Sequence, residues 1–335
     1  MAPVTLAEAK NNAVDDVDVQ VIDEFRKESV LLDSMVFDDV VNPAGGGATL
    51  TYGYRRLVTQ PTAATRAINS EYTASNVTTE RFTTDLAVMG GSFEVDRVVA
   101  QIGPAASGAV TLNLTQKIKA TRTKFQDEVI NGDTGVDANS FDGLDKALVG
   151  SDTEFRAASV TNWTDFDTTG REAFVALDDL DEWLQLLDGT PTLVLGNAKA
   201  VAKVRALARR AGQYTRDPVD GLLGPNGRPI VRETYGGVTF ADPGNKAGTN
   251  DPIIPVETRV VGVSTNNLTD LYAIRVGLDG FKGLSTVGGQ IVRTWLPDFS
   301  TQGAVKKGEV ELGPVGVALM ATKAAAVFRN IQVQG

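Results

Sequence analysis

Residues 48–95 are the stretch that most restricts what this chain can become. Thr49, Leu50, Thr51, Tyr52, Tyr54, Leu57 and Val58 favour one strand and Phe82 to Val95 favours another, while Gln60 to Thr79 between them is polar and nearly core-free. The pattern predicts a long two-stranded ribbon with a solvated tip. A lone hairpin is marginal in water because it has no second layer on which to bury a face. The ribbon therefore has to rest on something else, and a neighbouring subunit is the economical source of the missing surface. Arg55, Arg56, Arg66, Glu71, Glu80 and Arg81 are the candidate contact residues, since such charges can pair across an interface; solvated loop charges are the alternative.

The chemistry open to the chain is narrow. Its 335 residues include no histidine and no cysteine. A general base would have to be a displaced carboxylate or lysine, and thiolate nucleophiles, disulfides, iron–sulfur clusters and thiolate zinc sites are excluded. Paired carboxylates, a lysine Schiff base, a serine–lysine pair or a magnesium site remain, and none has a signature here. No enzyme activity, cofactor or metal is expected. The apolar fraction of 42% and charged fraction of 22% are those of a folded globular protein. A net charge of −10 opposes a sequence-independent grip on nucleic acid, which needs lysines and arginines against phosphates. The most apolar stretch, Leu312 to Phe328, is broken by Pro314, Gly316 and Lys323, so no membrane span is expected. The N-terminal residues lack the basic and apolar runs of a secretory signal.

Along the chain, residues 1–47 read as an arm in which acidic residues such as Asp15, Asp16, Asp18, Asp23, Glu24 and Asp33 alternate with apolar ones. A short helix is expected near Val21–Leu32, and Asn42-Pro43-Ala44-Gly45-Gly46-Gly47 reads as a hinge, since no Gly-Lys-Ser/Thr follows to make a phosphate loop. Leu114, Ile118, Thr121, Phe125 and Val129 recur at helical spacing from Ser107 to Ile130, and Asn131-Gly132 stops that helix. The acidic segment from Asn131 to Gly143 superficially resembles a calcium loop, but Phe141 stands where an oxygen ligand is needed, so it reads as a turn. A second helix is expected from the capping box Thr169-x-x-Glu172, with the stripe Phe174, Leu177, Leu180, Leu184 and Leu187. Its acidic run, Asp178, Asp179, Asp181 and Glu182, reads as a solvated face. Thr192 to Leu195 reads as a buried strand and Asn197 as the cap of a third helix with Val201, Val204 and Leu207 inward. Gly221, Gly224 and Gly227 punctuate a loop, and strands are expected at 230–233, 238–241, 259–263, 271–276, 289–295 and 309–320.

This series of parts resembles the tailed-bacteriophage major capsid proteins of the HK97-like fold. The words that carry the likeness are Val129-Ile-Asn-Gly-Asp133 leading to Phe141-Asp-Gly-Leu144, Thr192-Leu-Val-Leu-Gly-Asn197, and Leu271-Tyr-Ala-Ile-Arg-Val-Gly-Leu-Asp279. The run Glu309-Val-Glu-Leu-Gly-Pro-Val-Gly-Val-Ala-Leu319 followed by Ala324 to Ile331 is similar to that family's final strands. The weight lies in the order, because shell proteins have no catalytic signature.

The resemblance implies an α+β chain with an N-terminal arm at 1–47, an extended loop (E-loop) at 48–95, a peripheral domain at 96–149 and 271–335 holding the spine helix, and an axial domain at 150–270. It implies self-assembly into pentamers and hexamers that close an icosahedral phage head around double-stranded DNA, with a portal protein, a decoration protein and a separate scaffolding protein as partners. Assembly would take place in the host cytoplasm and the product would be the virion. Some members weld subunits through a lysine on the extended loop, but no lysine lies between Lys27 and Lys117, so noncovalent cohesion is expected. An encapsulin-type compartment resembles the same fold and is the rival reading. A carboxylate-based hydrolase, with two acids flanking a glycosidic bond, is the alternative from another class.

Overall fold

A computed structural model describes residues 30–41, 49–98, 103–164, 172–212, 215–223, 229–286 and 292–334. The chain is a mixed α+β molecule, with three sheets and one dominant helix among the described residues. That helix, Gly103–Asn131, extends further at its start than the periodicity indicated. Of its stripe, Thr121, Phe125 and Val129 are buried, while Leu114 and Ile118 are half-buried nearer the exposed end. It lies against the strands Ala87–Asp96 and Val305–Leu319.

The first sheet runs in the order Phe37–Val41, Phe281–Thr286, Val305–Leu319, Val292–Trp295, and Ala87–Asp96 also pairs with Val305–Leu319. The limb expected as one strand from Phe82 to Val95 is therefore two. Thr78–Asp85 stays in the ribbon, and after Leu86 the chain joins this sheet, because Ala87, Met89, Phe93 and Val95 alternate inward and can bury a face.

The second sheet has nine strands built around Leu193–Gly196, Val263–Ile274 and Ala325–Gln332. Its faces serve different cores. Leu193, Leu195, Tyr272, Ile274, Ala325 and Val327 point into a core shared with Phe125, Phe141 and Phe281. The residues between them, Val194, Leu271, Ala273, Ala326 and Phe328, point into a second core with Trp163, Leu180 and Trp183. Period-two alternation thus makes one sheet the wall between two cores. The boundary expected between 270 and 271 falls inside a single strand, which is buried on both faces from Leu268 onward and apolar from Leu271.

Asn197 caps Ala198–Arg210 by accepting from the Lys199 amide at 3.0 Å, and Val201, Val204 and Leu207 are buried. In the helix Glu172–Leu184 the expected stripe faces the core at Leu177, Leu180 and Leu184, and Leu187 joins it beyond the helix end. Trp183 is fully buried, whereas Phe174, in the first turn, is 53% exposed. The stripe overlooked Trp183 and continued to Leu187, past the helix end. Residues 215–223 form a strand, so the loop expected around Gly221 is an error of local reading; Gly224 and Gly227 lie outside the described residues. Phe37–Val41 lies in the region expected to be an arm and pairs in parallel with Phe281–Thr286. The capping threonine Thr169, the arm before Val30 and the glycine hinge at 42–47 also lie outside the described residues. Among those described, no helix is long and apolar enough to cross a membrane.

Candidate functional site

The ribbon is formed by Thr51–Thr59 antiparallel to Thr78–Asp85, with Tyr54 opposite Phe82, Arg55 opposite Arg81 and Arg56 opposite Glu80. Alternation puts Tyr52, Tyr54, Arg56 and Phe82 on the face that meets the body. The rings of Tyr52 and Tyr54 stack at 5.8 Å, and those of Tyr54 and Phe82 at 5.9 Å. Tyr54 packs with Val41, Leu86, Leu284 and Ala318 in a small separate core. Burial raises its phenol above the usual value, partly opposed by the neighbouring Arg56 charge.

Arg56 is the hinge pin of this root. Its guanidinium lies 4.2 Å above the Phe82 ring. It donates to the Leu319 carbonyl, to the Tyr54 hydroxyl at 3.1 Å and to Thr322 Oγ1 at 3.4 Å. All three acceptors are neutral, Nε is buried without an acceptor, and no described carboxylate pairs with this arginine. Beside it, buried Lys282 bonds Asp38 at 2.5 Å and sits 5.2 Å from the Tyr52 ring. Burial alone would lower the Lys282 ammonium; the Asp38 bond and Tyr52 outweigh it and raise it.

The other expected contact residues are elsewhere. Arg55 and Arg81 share the outer face, both exposed and directly opposite, and neither forms an ion pair among the described residues. Arg81 lies across Gly53, where a Cβ would come within 3.1 Å of its Nη2. Arg66 is at the tip, donating to the Ser70 carbonyl at 3.1 Å and stacking 5.4 Å from Tyr72. Glu71 and Glu80 are exposed; Glu80 lies opposite Arg56 without an ion pair among the described residues, and at the tip Arg66 and Glu71 lie apart from the other four. Ile68 at the tip is 91% exposed, and Leu57, Val58, Tyr72 and Val77 are also exposed. The sequence reading missed Tyr52, Tyr54, Phe82, Lys282 and Asp38, although aromatic residues two apart, facing a third across a hairpin, signal a buried face.

Among the described residues the carboxylates form no cleft of paired acids. At the end of the long helix, Gly132 and Gly143 meet back to back, where a Cβ on Gly143 would lie 2.7 Å from the Gly132 nitrogen. That turn brings Asp133 and Asp142 to Lys146, whose ammonium donates to them at 2.6 and 2.8 Å. The Lys146 bond and the Gly135 amide lower the Asp133 carboxyl. Burial pushes Asp142 up, but bonds from Lys146 and Thr134 outweigh it and the net shift is down. Buried Asp270 takes two bonds from Arg259 Nη1 at 2.7 and 2.8 Å and one from the Asn330 amide at 2.9 Å. Arg329 joins Glu154, at 2.8 Å, to Asp145, and Tyr272 also donates to Asp145 at 2.8 Å. On the helix Glu172–Leu184, Asp179 pairs with Arg156, and Asp181 accepts from Tyr235, whose phenol is pushed up to about 12 by burial and by that charge. These groups are countered by cations or tyrosine hydroxyls, an arrangement that ties elements together.

No protein-family model matches the sequence, and no curated protein does. Solved structures do. A structure of the holo-SrpI encapsulin complex from Synechococcus elongatus aligns over 100% of this chain and 98% of its own, with a TM-score of 0.60 and 18% identity. One of Mycobacterium phage Bobi covers 99% of each chain with a TM-score of 0.59 and 13% identity. The chain has the HK97-like fold. A third, the capsid of Myoviridae phage XM1, covers 96% of this chain and 97% of its own, with a TM-score of 0.54 and 12% identity. The HK97-like fold is thus matched along the full length of the chain, ribbon included, at identities that leave little beyond pattern in common.

Proposed function

We propose that this chain is the self-assembling subunit of a closed protein shell: the major capsid protein of a phage head, forming pentamers and hexamers around double-stranded DNA. The observation that carries this reading is the ribbon. It exposes apolar side chains along its length and holds Arg55 and Arg81 directly opposite one another with no counter-charge among the described residues, an arrangement that costs free energy in an isolated molecule. A neighbouring copy placed across that face would bury the apolar residues and balance the arginines. With no lysine on the ribbon, the contact is noncovalent. The net charge of −10 suits a wall that encloses DNA without gripping it. Scaffolding, portal and decoration proteins belong to this proposal as partners, and virion assembly in the host cytoplasm belongs to it as location. The shell role is structural, without catalysis.

An encapsulin-type compartment is the second reading, favoured by the full-length match to an encapsulin. Expression of the full chain, alone and with a neighbouring scaffold gene, followed by electron microscopy and light scattering, tests the shared claim. Closed particles or capsomer rings are expected, and a monomer under both conditions would overturn it. Nuclease-protected DNA inside particles made during infection separates a phage head from a compartment loaded with an enzyme.

A further inference from the structure

A cavity of about 300 Å³ lies beneath the root of the ribbon. Tyr54, Arg56 and Phe82 close it from the ribbon side, and Leu144, Ala147 and Phe281 from the body. Its volume is at the small end of ligand pockets and suits one or two rings. The aromatic and aliphatic walls provide contact area, and the charged groups on the wall are Arg56, Lys146 and Asp142. The Arg56 guanidinium is half out of water, its acceptors are all neutral, and its buried Nε has none. A guanidinium so placed has hydrogen bonds but no counter-anion among the described residues. Lys146, across the cavity, is already shared between Asp133 and Asp142. Asp142 on the wall is thus matched by Lys146, and Glu80, opposite Arg56 in the ribbon register, forms no ion pair with it among the described residues, which leaves Arg56 as the uncompensated charge on the wall.

We infer that this cavity is a binding site for a small amphiphilic anion, an aromatic carboxylate or sulfonate whose ring lies against Phe82 and Phe281 and whose charge meets Arg56. Such a ligand touches the ribbon through Phe82 and the body through Leu144, so it holds the angle at which the ribbon leaves the body. If the shell reading is right, that angle sets how the ribbon meets a neighbouring copy; the binding site itself does not depend on it.

The test uses the full-length chain with anilinonaphthalene sulfonate as the anionic probe and phenylnaphthylamine as its neutral counterpart, read by fluorescence titration and calorimetry. One saturable sulfonate site per chain is expected. Arg56→Gln should weaken the sulfonate about tenfold more than it weakens the neutral amine, the scale of a lost hydrogen bond to a charged group beyond any change in the wall. Ala147→Phe adds bulk at the cavity wall from an exposed position and should remove both probes while Arg56 stays in place. The absence of a saturable site would overturn the inference, as would affinities unchanged by Ala147→Phe, which would put the dye elsewhere on the surface. Equal weakening of both probes by Arg56→Gln would also overturn it, because Arg56 would then shape the cavity without recognising charge. Binding is read on the soluble chain whether or not it assembles, so failure here leaves the shell reading standing.

Discussion

Arg55 and Arg56 are neighbours in sequence with opposite duties. Both looked like contact residues, and alternation along a strand separates them: Arg56 turns to the body and Arg55 away from it. Reversing Arg55 to glutamate replaces a like-charge pair with an opposite-charge pair across the ribbon, so it should leave the melting temperature of the isolated subunit the same or slightly higher while lowering particle yield. Reversing Arg56 breaks bonds to Tyr54, Leu319 and Thr322 and puts a carboxylate over the Phe82 ring. That change should loosen the ribbon root before any assembly step, read as faster amide exchange across Tyr52–Tyr54 and Phe82–Thr84. Equal behaviour of the two variants in the isolated subunit would count against the assignment. The charges were legible in the sequence as a set, but which arginine faced inward was not. That depends on the registers 54–82 and 56–80 and on the distant carbonyl of Leu319, which no local pattern encodes.

At the scale of elements, sequence reading succeeded where one element buries one face under a local signal. The strand at 193–196, the helix capped by Asn197 and the strand Val238–Ala241 are such cases. It failed where a partner far along the chain decides, as in Phe37–Val41, which becomes a strand only by pairing with Phe281–Thr286. The turn after the long helix gives a prediction in pH. Asp133 and Asp142 are lowered from 3.8 and Lys146 is raised from 10.5. The carboxylates' contribution is therefore full above 3.8 and lost as pH falls through their lower folded values; the lysine's is full below 10.5 and lost as pH rises through its higher one. The stability difference between wild type and Lys146→Met should form a plateau across neutral pH and shrink at both ends, measured by denaturant titration. A difference that peaks near neutrality without a plateau would contradict the paired turn. The ribbon tip gives a second prediction at this scale. Residues 60–77 are exposed throughout, so replacing them with a two-residue Asn-Gly turn should leave the melting transition of the subunit in place while abolishing particles. Particles of normal yield from that variant would remove the tip from the assembly contact.

In the whole molecule, the two cores cannot be separated by cutting the chain, because the strands Val263–Ile274 and Ala325–Gln332 give alternate residues to each. The family resemblance led to a division by residue number, whereas the structure divides the two cores by face of a sheet. The two cores should consequently unfold together. Val327 and Phe328 are adjacent and fully buried, and they point into different cores. Truncating Phe328 to alanine removes a ring packed against Phe155, Trp163 and Trp183 and should cost about 3–5 kcal/mol. Val327→Ala, on the other face, deletes less side chain and should cost roughly 1–2 kcal/mol. Tryptophan fluorescence reports the second core through Trp163 and Trp183, and amide-exchange protection of Phe125–Ile130, followed against denaturant, reports the long helix that closes the first. Each substitution should displace both signals to the same denaturant midpoint, since strain or loss on one face of the shared wall is felt on the other. Separate midpoints, with Phe328→Ala moving fluorescence alone, would mean that the cores fold independently. A coupled wall also bears on assembly: a load on the ribbon enters through Tyr54 and the strand Val305–Leu319, which packs on the long helix, and the shared strands carry it to the second core.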